Sequence, residues 1–423
     1  MHNVLKGRLL EVRVCLLASM LALLVIGIVT IYVVGHPRET SPATDTAELA
    51  GYWKKQLVFA LVGLAGFIGA NLINYRSLGA ISHWIYGAVL VLLAIILVRK
   101  YLVPLPFIPE RNGSYRWIVI QFGSYSLPAI QPSEFCKLAY ILALAWYLRY
   151  KSNYNRFRSL LVPFAVTLLP MVLILLEPDL GTVLLMMPVF FAMLFVAGAR
   201  IKHLLLVIAL AVLVSPAMWL MLRPYQRIRV SSVLLQSGWV RQKAEDSPAL
   251  AKLLVGGKFD ERRWRNTWGY HLVRSKYAVA SGGMVGSGTG RGPFIKYDFL
   301  PERHNDFIFS VIAHQWGFLG CLGFLLLYVL LITCGLEVAG SNTDPFARLL
   351  ALGIVAMFVV EVAINVGMTL GLMPITGLTL PFVSYGGSSL LVNMMAVGLL
   401  NNVGRCRPFT VAPRHRELIR PME

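Results

Sequence analysis

LPERHNDFIF, residues 300–309, decides how this chain must fold. It sets Glu302, Arg303, His304 and Asp306 within a few residues of one another and runs directly into an apolar segment, 307–334. That segment exceeds the roughly 20 apolar residues a helix needs to cross a bilayer. A carboxylate at the mouth of such a helix loses water unless it is paired, held in a cavity or put to use. Asp306 is therefore a functional candidate on physical grounds alone.

Working outward, the chain of 423 residues is 57% hydrophobic and 14% charged, with a mean hydropathy of +0.67. Soluble domains carry about 25% charged residues, so a soluble globule is excluded. Ten apolar segments are expected to span a membrane: 14–35, 56–75, 78–98, 133–148, 160–176, 180–199, 204–222, 307–334, 349–372 and 381–400. The expected fold class is thus an all-α polytopic membrane protein with ten transmembrane helices and one large extracytoplasmic loop, 223–306, between helices 7 and 8. The first segment is too long for a signal-peptide core and no small-residue cleavage pattern follows it, so it reads as a retained span. Arg76, the group Arg149, Lys151, Arg156 and Arg158, the pair Arg200 and Lys202, Arg348 and a basic tail, 404–423, fall on one side. By the positive-inside rule that side is cytoplasmic, with both termini.

The net charge of +19 suits anionic headgroups or a phosphorylated substrate, and membrane embedding argues against nucleic acid as a partner. In the large loop, Arg223, Arg227, Arg229, Arg262, Arg263, Arg265, Arg274 and Lys276 read either as a solvated face touching headgroups or as a cradle for a diphosphate. Residues 244–260 read as a polar, flexible insertion. The glycine-rich SGGMVGSGTGRG, 281–292, lacks the GK[ST] ending of a phosphate-binding loop and reads as a structural re-entrant loop. The cysteines show no CxxC pair and read as small core residues.

Three polar clusters interrupt the apolar sequence. In QPSEFCK, Ser133 is placed to cap a helix, and Glu134 and Lys137 lie three apart on one helical face. They form either an ion pair that fixes helix packing or the edge of a substrate path. In EPDLGT, Asp179 is placed to cap the helix beginning at Leu180. In LMPITGLTLPFVSYGGSS, 372–389, prolines and glycines break helical regularity where only a protein-packed backbone tolerates it, and Ser384, Ser388 and Ser389 are available to bond the freed carbonyls.

LPERHNDFIF, QPSEFCKLA, EPDLGT and PFVSYGGSSLL, in their places across ten apolar segments, closely resemble the SEDS family, the RodA, FtsW and SpoVE group of peptidoglycan polymerases. The resemblance implies a single SEDS-type domain over 1–423, most like the RodA branch. It further implies a glycosyltransferase that polymerises lipid II, the undecaprenyl-diphosphate-linked disaccharide pentapeptide, on the outer face of the bacterial cytoplasmic (inner) membrane, beside a class B penicillin-binding protein. Asp306 matches the family's essential aspartate and becomes the expected general base. Arg116 and Trp117 match its RW pair, and Glu134 and Lys137 its QPSE-x-x-K positions. Together with Arg303 and His304 these are the expected substrate-binding residues. Trp117 is suited to stacking on a sugar or to an interfacial belt. A divalent cation, magnesium or manganese, is a further expectation for neutralising the diphosphate.

The chain departs from the family pattern at three places, one of them segment 270–276, which only loosely matches the family's YQ-x-x-QS, with His271 in place of the glutamine. His314 and Gln315 stand where members commonly carry a Glu-Glu pair, so His314 is either a ligand or a satisfied core histidine. Asn305 replaces the usual threonine. A lipid-linked precursor flippase and a scaffold that recruits the transpeptidase are the other functional readings.

Overall fold

The computed structural model describes residues 2–36, 50–103, 105–110, 114–119, 121–122, 125–126, 128–150, 157–222, 224–267, 269–297, 299–300 and 302–405. Each of the ten apolar segments falls on a helix. In chain order these are α1 (His2–Gly35), α2 (Tyr52–Leu72), then, after a short α3 (Tyr75–Ala80), α4 (Ser82–Tyr101), α5 (Pro132–Leu148), α6 (Leu161–Leu176), α7 (Leu180–Val196) and α8 (Ile201–Met221). The large loop follows, and the set closes with α15 (Ile308–Gly340), α16 (Pro345–Thr369) and α17 (Gly387–Arg405). Five of them, α1, α2, α4, α15 and α16, are long and apolar enough to cross a membrane, and α6, α7 and most of α8 are shorter apolar helices. Helices α5 and α17 are interior, buried on nearly every face.

The helices pack as neighbours expected of a bundle: α17 lies along α2, α1 along α15, and α16 between α15, α7 and α5. Lipid gives helices no hydrophobic reason to associate, so close backbone approach has to supply the contact. A Cβ on Gly398 of α17 would fall 2.6 Å from the carbonyl of Phe67 in α2. Peripheral α8 leaves Leu205, Leu210, Val212 and Leu213 exposed, the surface that lipid would cover.

The structure differs from the expectations in three places. The segment before α5 is not wholly irregular. Its aromatic and β-branched run around Trp117–Phe122 forms a hairpin of β1 (Gln121–Phe122) and β2 (Tyr125–Ser126), extended by a bridge between Ile118 and Ile130. Ser133 does not cap α5: the cap position is Gln131, Pro132 takes the first turn, and the Ser133 hydroxyl bonds elsewhere. Finally, 244–260 is ordered. The loop builds α9 (Pro224–Ser231), α10 (Gly238–Asp246), α11 (Pro248–Val255), α12 (Glu261–Asn266), α13 (Tyr270–Gly282) and α14 (Pro293–Lys296). Leu235, Ala244, Leu254, Val255 and Trp264 form a small core of their own. Helix α11 carries a complete set of end signals, with Ser247 accepting from the Leu250 amide, Pro248 in the first turn and Gly256 left-handed at the end.

The glycine-rich segment is structural, as expected, through a specific fit. Helix α15 breaks at Gly317 (φ 64°). The carbonyls of His314 and Gln315 accept from Ser287 and Gly288 at 3.0 Å, and the carbonyls of Gly283 and Met284 accept from Phe318 and Leu319 at 2.9 and 3.1 Å. The loop thus answers the hydrogen bonds that the break releases. Among the described cysteines Cys136, Cys321 and Cys334 are buried and Cys15 is exposed, and none is disulfide-bonded. Lys151, Arg156 and the basic tail beyond Arg405 lie outside the described residues.

Candidate active site

Residues 302–307 form a tight turn closed on the carbonyl of Glu302, which accepts from Asn305 at 3.1 Å and Phe307 at 3.3 Å. Phe307 is buried in a cluster with Ala278, Ile295, Leu300 and Val311, which anchors the turn on α13 and α14. Asp306, just before α15, stays partly exposed beside Gly377, where a Cβ would stand 3.5 Å from its Oδ2.

Four of the sequence motifs meet around this turn. The amide of Tyr385 donates to the carbonyl of His304 at 3.0 Å, and the Ser384 hydroxyl to that of Asn305 at 2.8 Å. Gln131 and Ser133 both donate to Asp179 Oδ2, at 3.4 and 3.0 Å, while Asp179 caps α7 through Thr182. The amide of Gln131 donates to Ser388 at 3.0 Å, and Ser388 to the carbonyl of Ala129 at 3.1 Å. Ser384 and Ser388 therefore serve backbone groups, as their position in a broken helix suggested, whereas Ser389 bonds the side chains of Thr379 and Asn393.

Electrostatics single out Asp306. Loss of water on burial, then the nearby charge of Glu302, push its carboxyl up to about 7, with Asp179 adding to the rise and Arg229 and Arg116 opposing it. Four charged groups from four parts of the chain thus act on one carboxylate. Arg116 bonds the carbonyl of Glu177 at 2.9 Å and that of Pro178, holding the turn between α6 and α7. Glu177 itself, buried and next to Asp179, is pushed up to about 9 and is neutral at pH 7. It leaves the positive charge of Arg116 uncancelled. His271, stacked on Phe307, is held below the usual histidine range by burial and by Arg229.

The remaining expected residues are distributed differently. Trp117 is half-buried in the segment leading to the hairpin. Lys137 is 0% exposed. Its ammonium lies 2.7 Å from Glu134 and 2.6 Å from Glu361 of α16, a closed ion triad rather than an open path. Arg303 is 1% exposed and bonds the carbonyl of Ile295 inside the loop. His304 packs on Tyr52 and Tyr385. His314 is an interior histidine whose Nδ1 lies 2.7 Å from the Ser281 hydroxyl, while its buried Nε2 has no hydrogen-bond partner among the described residues.

Sequence reasoning missed Glu361, Asn365, Glu302 as a charge on the base, and Arg229 as a single residue. A lone glutamate in the apolar run 349–372 was a usable signal, because it demands a cation. Among the described residues no group of three His, Cys, Asp or Glu side chains is set to hold a metal ion. By themselves the described side chains make no three-ligand metal site.

Fold and site together define a polytopic membrane protein whose broken helices and large loop surround Asp306, a carboxylate of raised proton affinity. The family profile of FtsW, RodA and SpoVE, described as a cell cycle protein, matches residues 13–407, and the chain belongs to that family. It is 31% identical to peptidoglycan glycosyltransferase RodA of Treponema pallidum, over 92% of this chain and 96% of that one. It is 36% identical to stage V sporulation protein E of Bacillus subtilis, over 91% and 94%. Among solved structures it resembles a chain from work on structural coordination of polymerization and crosslinking by a peptidoglycan synthase complex, with a TM-score of 0.69 at 31% identity over 92% of this chain and 96% of that one. It also resembles the rod shape determining protein RodA of Thermus thermophilus, with a TM-score of 0.60 at 28% identity over 92% and 95%.

Proposed function

We propose that the chain is a peptidoglycan glycosyltransferase that extends glycan strands from lipid II, with Asp306 as its general base. The observation that carries this reading is the convergence of four motifs on Asp306, with cationic Arg116 and Arg229 acting on the same carboxylate. A donor linked through an α-diphosphate and a β-1,4 product require inversion, so one displacement with one base suffices. The Asp306 carboxylate takes the proton from the acceptor hydroxyl as that oxygen bonds to the anomeric carbon. The bond from that carbon to the phosphate oxygen breaks, and its electron pair leaves on the diphosphate. A carboxyl pushed up to about 7 is well matched to this transfer at neutral pH. Arg116 and Arg229 supply the positive charge that the departing diphosphate needs.

The site would face outward on the cytoplasmic membrane, beside a class B penicillin-binding protein that cross-links the product. The similarity to a chain from a peptidoglycan synthase complex supports that partner. The flippase reading has less support: the lysine within a helix that a translocation path would use is closed off between two carboxylates. The test supplies lipid II to the purified protein and to Asp306→Asn. Polymer from the wild type and none from the variant is expected. Equal polymer from both would remove Asp306 from the mechanism.

A further inference from the structure

Three consecutive carbonyls of the site turn are each bonded from outside it. That of His304 accepts from the Tyr385 amide at 3.0 Å, that of Asn305 from Ser384 Oγ at 2.8 Å, and that of Asp306 from Asn365 Nδ2 at 3.1 Å. The Asn365 amide donates a second time, to the carbonyl of Leu378 at 2.7 Å. Leu378 follows Gly377, the residue that lies against the Asp306 carboxylate. Ser384 in turn accepts from the amide of Leu380 at 2.9 Å. One wholly buried side chain on α16 therefore ties the backbone of Asp306 to the loop its carboxylate packs on.

A carbonyl sequestered from water is costly to leave without its donor, so such a side chain is a strong local constraint. It is also placed to do more than satisfy carbonyls. The direction of the Asp306 side chain follows from its backbone, and that backbone is fixed on one side by Asn365 and on the other by Ser384. We propose that Asn365 is a positioning residue for the glycosyl transfer: its two donated hydrogen bonds clamp the Asp306 turn to residues 377–380 and so aim the carboxylate at the acceptor hydroxyl. This rests on reading Asp306 as the base. Ser384 is the second staple of the same clamp.

A clamp that aims a base and one that merely stabilises the fold predict different measurements. The experiment uses the full chain in lipid nanodiscs with lipid II as substrate. It records kcat and KM per folded molecule, and the pH dependence of kcat/KM, for the wild type, Asn365→Ala, Asn365→Asp, Ser384→Ala and Asp306→Asn. Asn365→Asp keeps the shape but turns an oxygen toward both carbonyls. A misplacement of about 1 Å costs about a hundredfold in rate. The expected result is a fall in kcat of about that size in both Asn365 variants, a smaller fall in Ser384→Ala, and KM within about twofold.

In Asn365→Ala and Ser384→Ala, which add no charge, the acidic limb should also move to lower pH by about half a unit or more, because a loosened carboxylate gains water; Asn365→Asp adds a carboxyl of its own and is scored on kcat and KM alone. The charged groups facing it are Glu302 from its own turn, Arg229 from α9, Arg116 from the segment before α5 and Asp179 from the turn before α7. Arg303 and His304 are engaged elsewhere, so none of these changes when Asn365 does.

Folded Asn365 variants with kcat within about twofold of the wild type and an unmoved limb would overturn the proposal, leaving Asn365 a structural residue. If Asn365→Ala does not fold, Asn365→Asp and Ser384→Ala carry the same comparison. Should Asp306→Asn polymerise at the wild-type rate, the base assignment fails. The positioning role then fails with it, whereas an inactive Asp306→Asn beside fully active Asn365 variants rejects the positioning role alone.

Discussion

Replacing Lys137 by methionine should destabilise the protein far more than the loss of one positive charge on its surface would. The Lys137 ammonium lies 2.6 Å from Glu361 and 2.7 Å from Glu134, and the side-chain exposures are 0%, 0% and 7%. Methionine fills most of the lysine's volume, so packing is nearly conserved and electrostatics dominates the difference. Removing the cation leaves two carboxylates enclosed between α5 and α16, and breaking a buried pair in this way costs about 3–5 kcal/mol. For a protein of this size that is on the order of 5 °C in the midpoint of thermal unfolding. Neutralising all three groups in Lys137→Met, Glu134→Gln, Glu361→Gln removes the uncompensated charges, and buried ion pairs replaced by neutral groups are often no less stable. The triple variant should therefore recover most of the loss. Glu361→Gln alone, which leaves the Glu134–Lys137 pair intact, should cost least. The assay is thermal unfolding in detergent followed by intrinsic tryptophan fluorescence, scored on the order of the midpoints. A Lys137→Met midpoint within about 1 °C of the wild type, or a triple variant as unstable as the single one, would refute the argument that enclosed charge dominates.

Three further outcomes can be measured. With the Asp306 carboxyl at about 7, kcat/KM should fall to about one-tenth of its plateau at pH 6, and the limb should move down in Glu302→Gln and up in Arg229→Gln, as a pH–rate series would show. Because that proton affinity is raised above the ordinary carboxylate value of 3.8, its contribution to stability is fully present below about pH 4 and is lost as pH rises through 7; Asp306→Asn should therefore melt higher than the wild type at pH 8, by roughly 1–3 kcal/mol after allowance for partial exposure, and no higher at pH 4. Gly317→Ala places a Cβ at a backbone φ of 64° and against the amide of Gly286, so it should free the glycine-rich loop from α15, detectable as faster amide exchange over 283–288.

The bundle was legible because lipid leaves few choices. Apolar length and loop charge located ten helices, and the structure places a helix at each. What escaped was set by partners remote in the chain. Lys137 carried a visible i,i+3 partner in Glu134, but its closer partner, Glu361, is 224 residues away. Asn365 is one polar residue in an apolar run, and nothing local shows that it bonds Asp306 and Leu378. The insertion at 244–260 looked polar because its charged residues, Glu245, Asp246, Lys252, Lys258 and Asp260, are spread along it, yet Ala244, Leu254 and Val255 pack with Trp264. Arg303 was expected at the substrate because arginine favours phosphate, whereas here its long stem and head are used inside the loop.

The same distinction explains the departure at His314 and Gln315. Both lie just before the break at Gly317, and both are turned to the glycine-rich loop: His314 to Ser281, and Gln315 Oε1 to the amide of Gly290 at 3.4 Å. Neither is among the charges that act on Asp306, which come from Glu302, Arg229, Arg116 and Asp179. Replacing an acidic pair here by a histidine and a glutamine changes how the loop grips the broken helix. It leaves the proton affinity of the base to the turn's own glutamate and to the two arginines. The knot of charge in LPERHNDFIF divides accordingly: Glu302 raises the proton affinity of Asp306, whereas Arg303 bonds the carbonyl of Ile295 and His304 packs on Tyr52 and Tyr385.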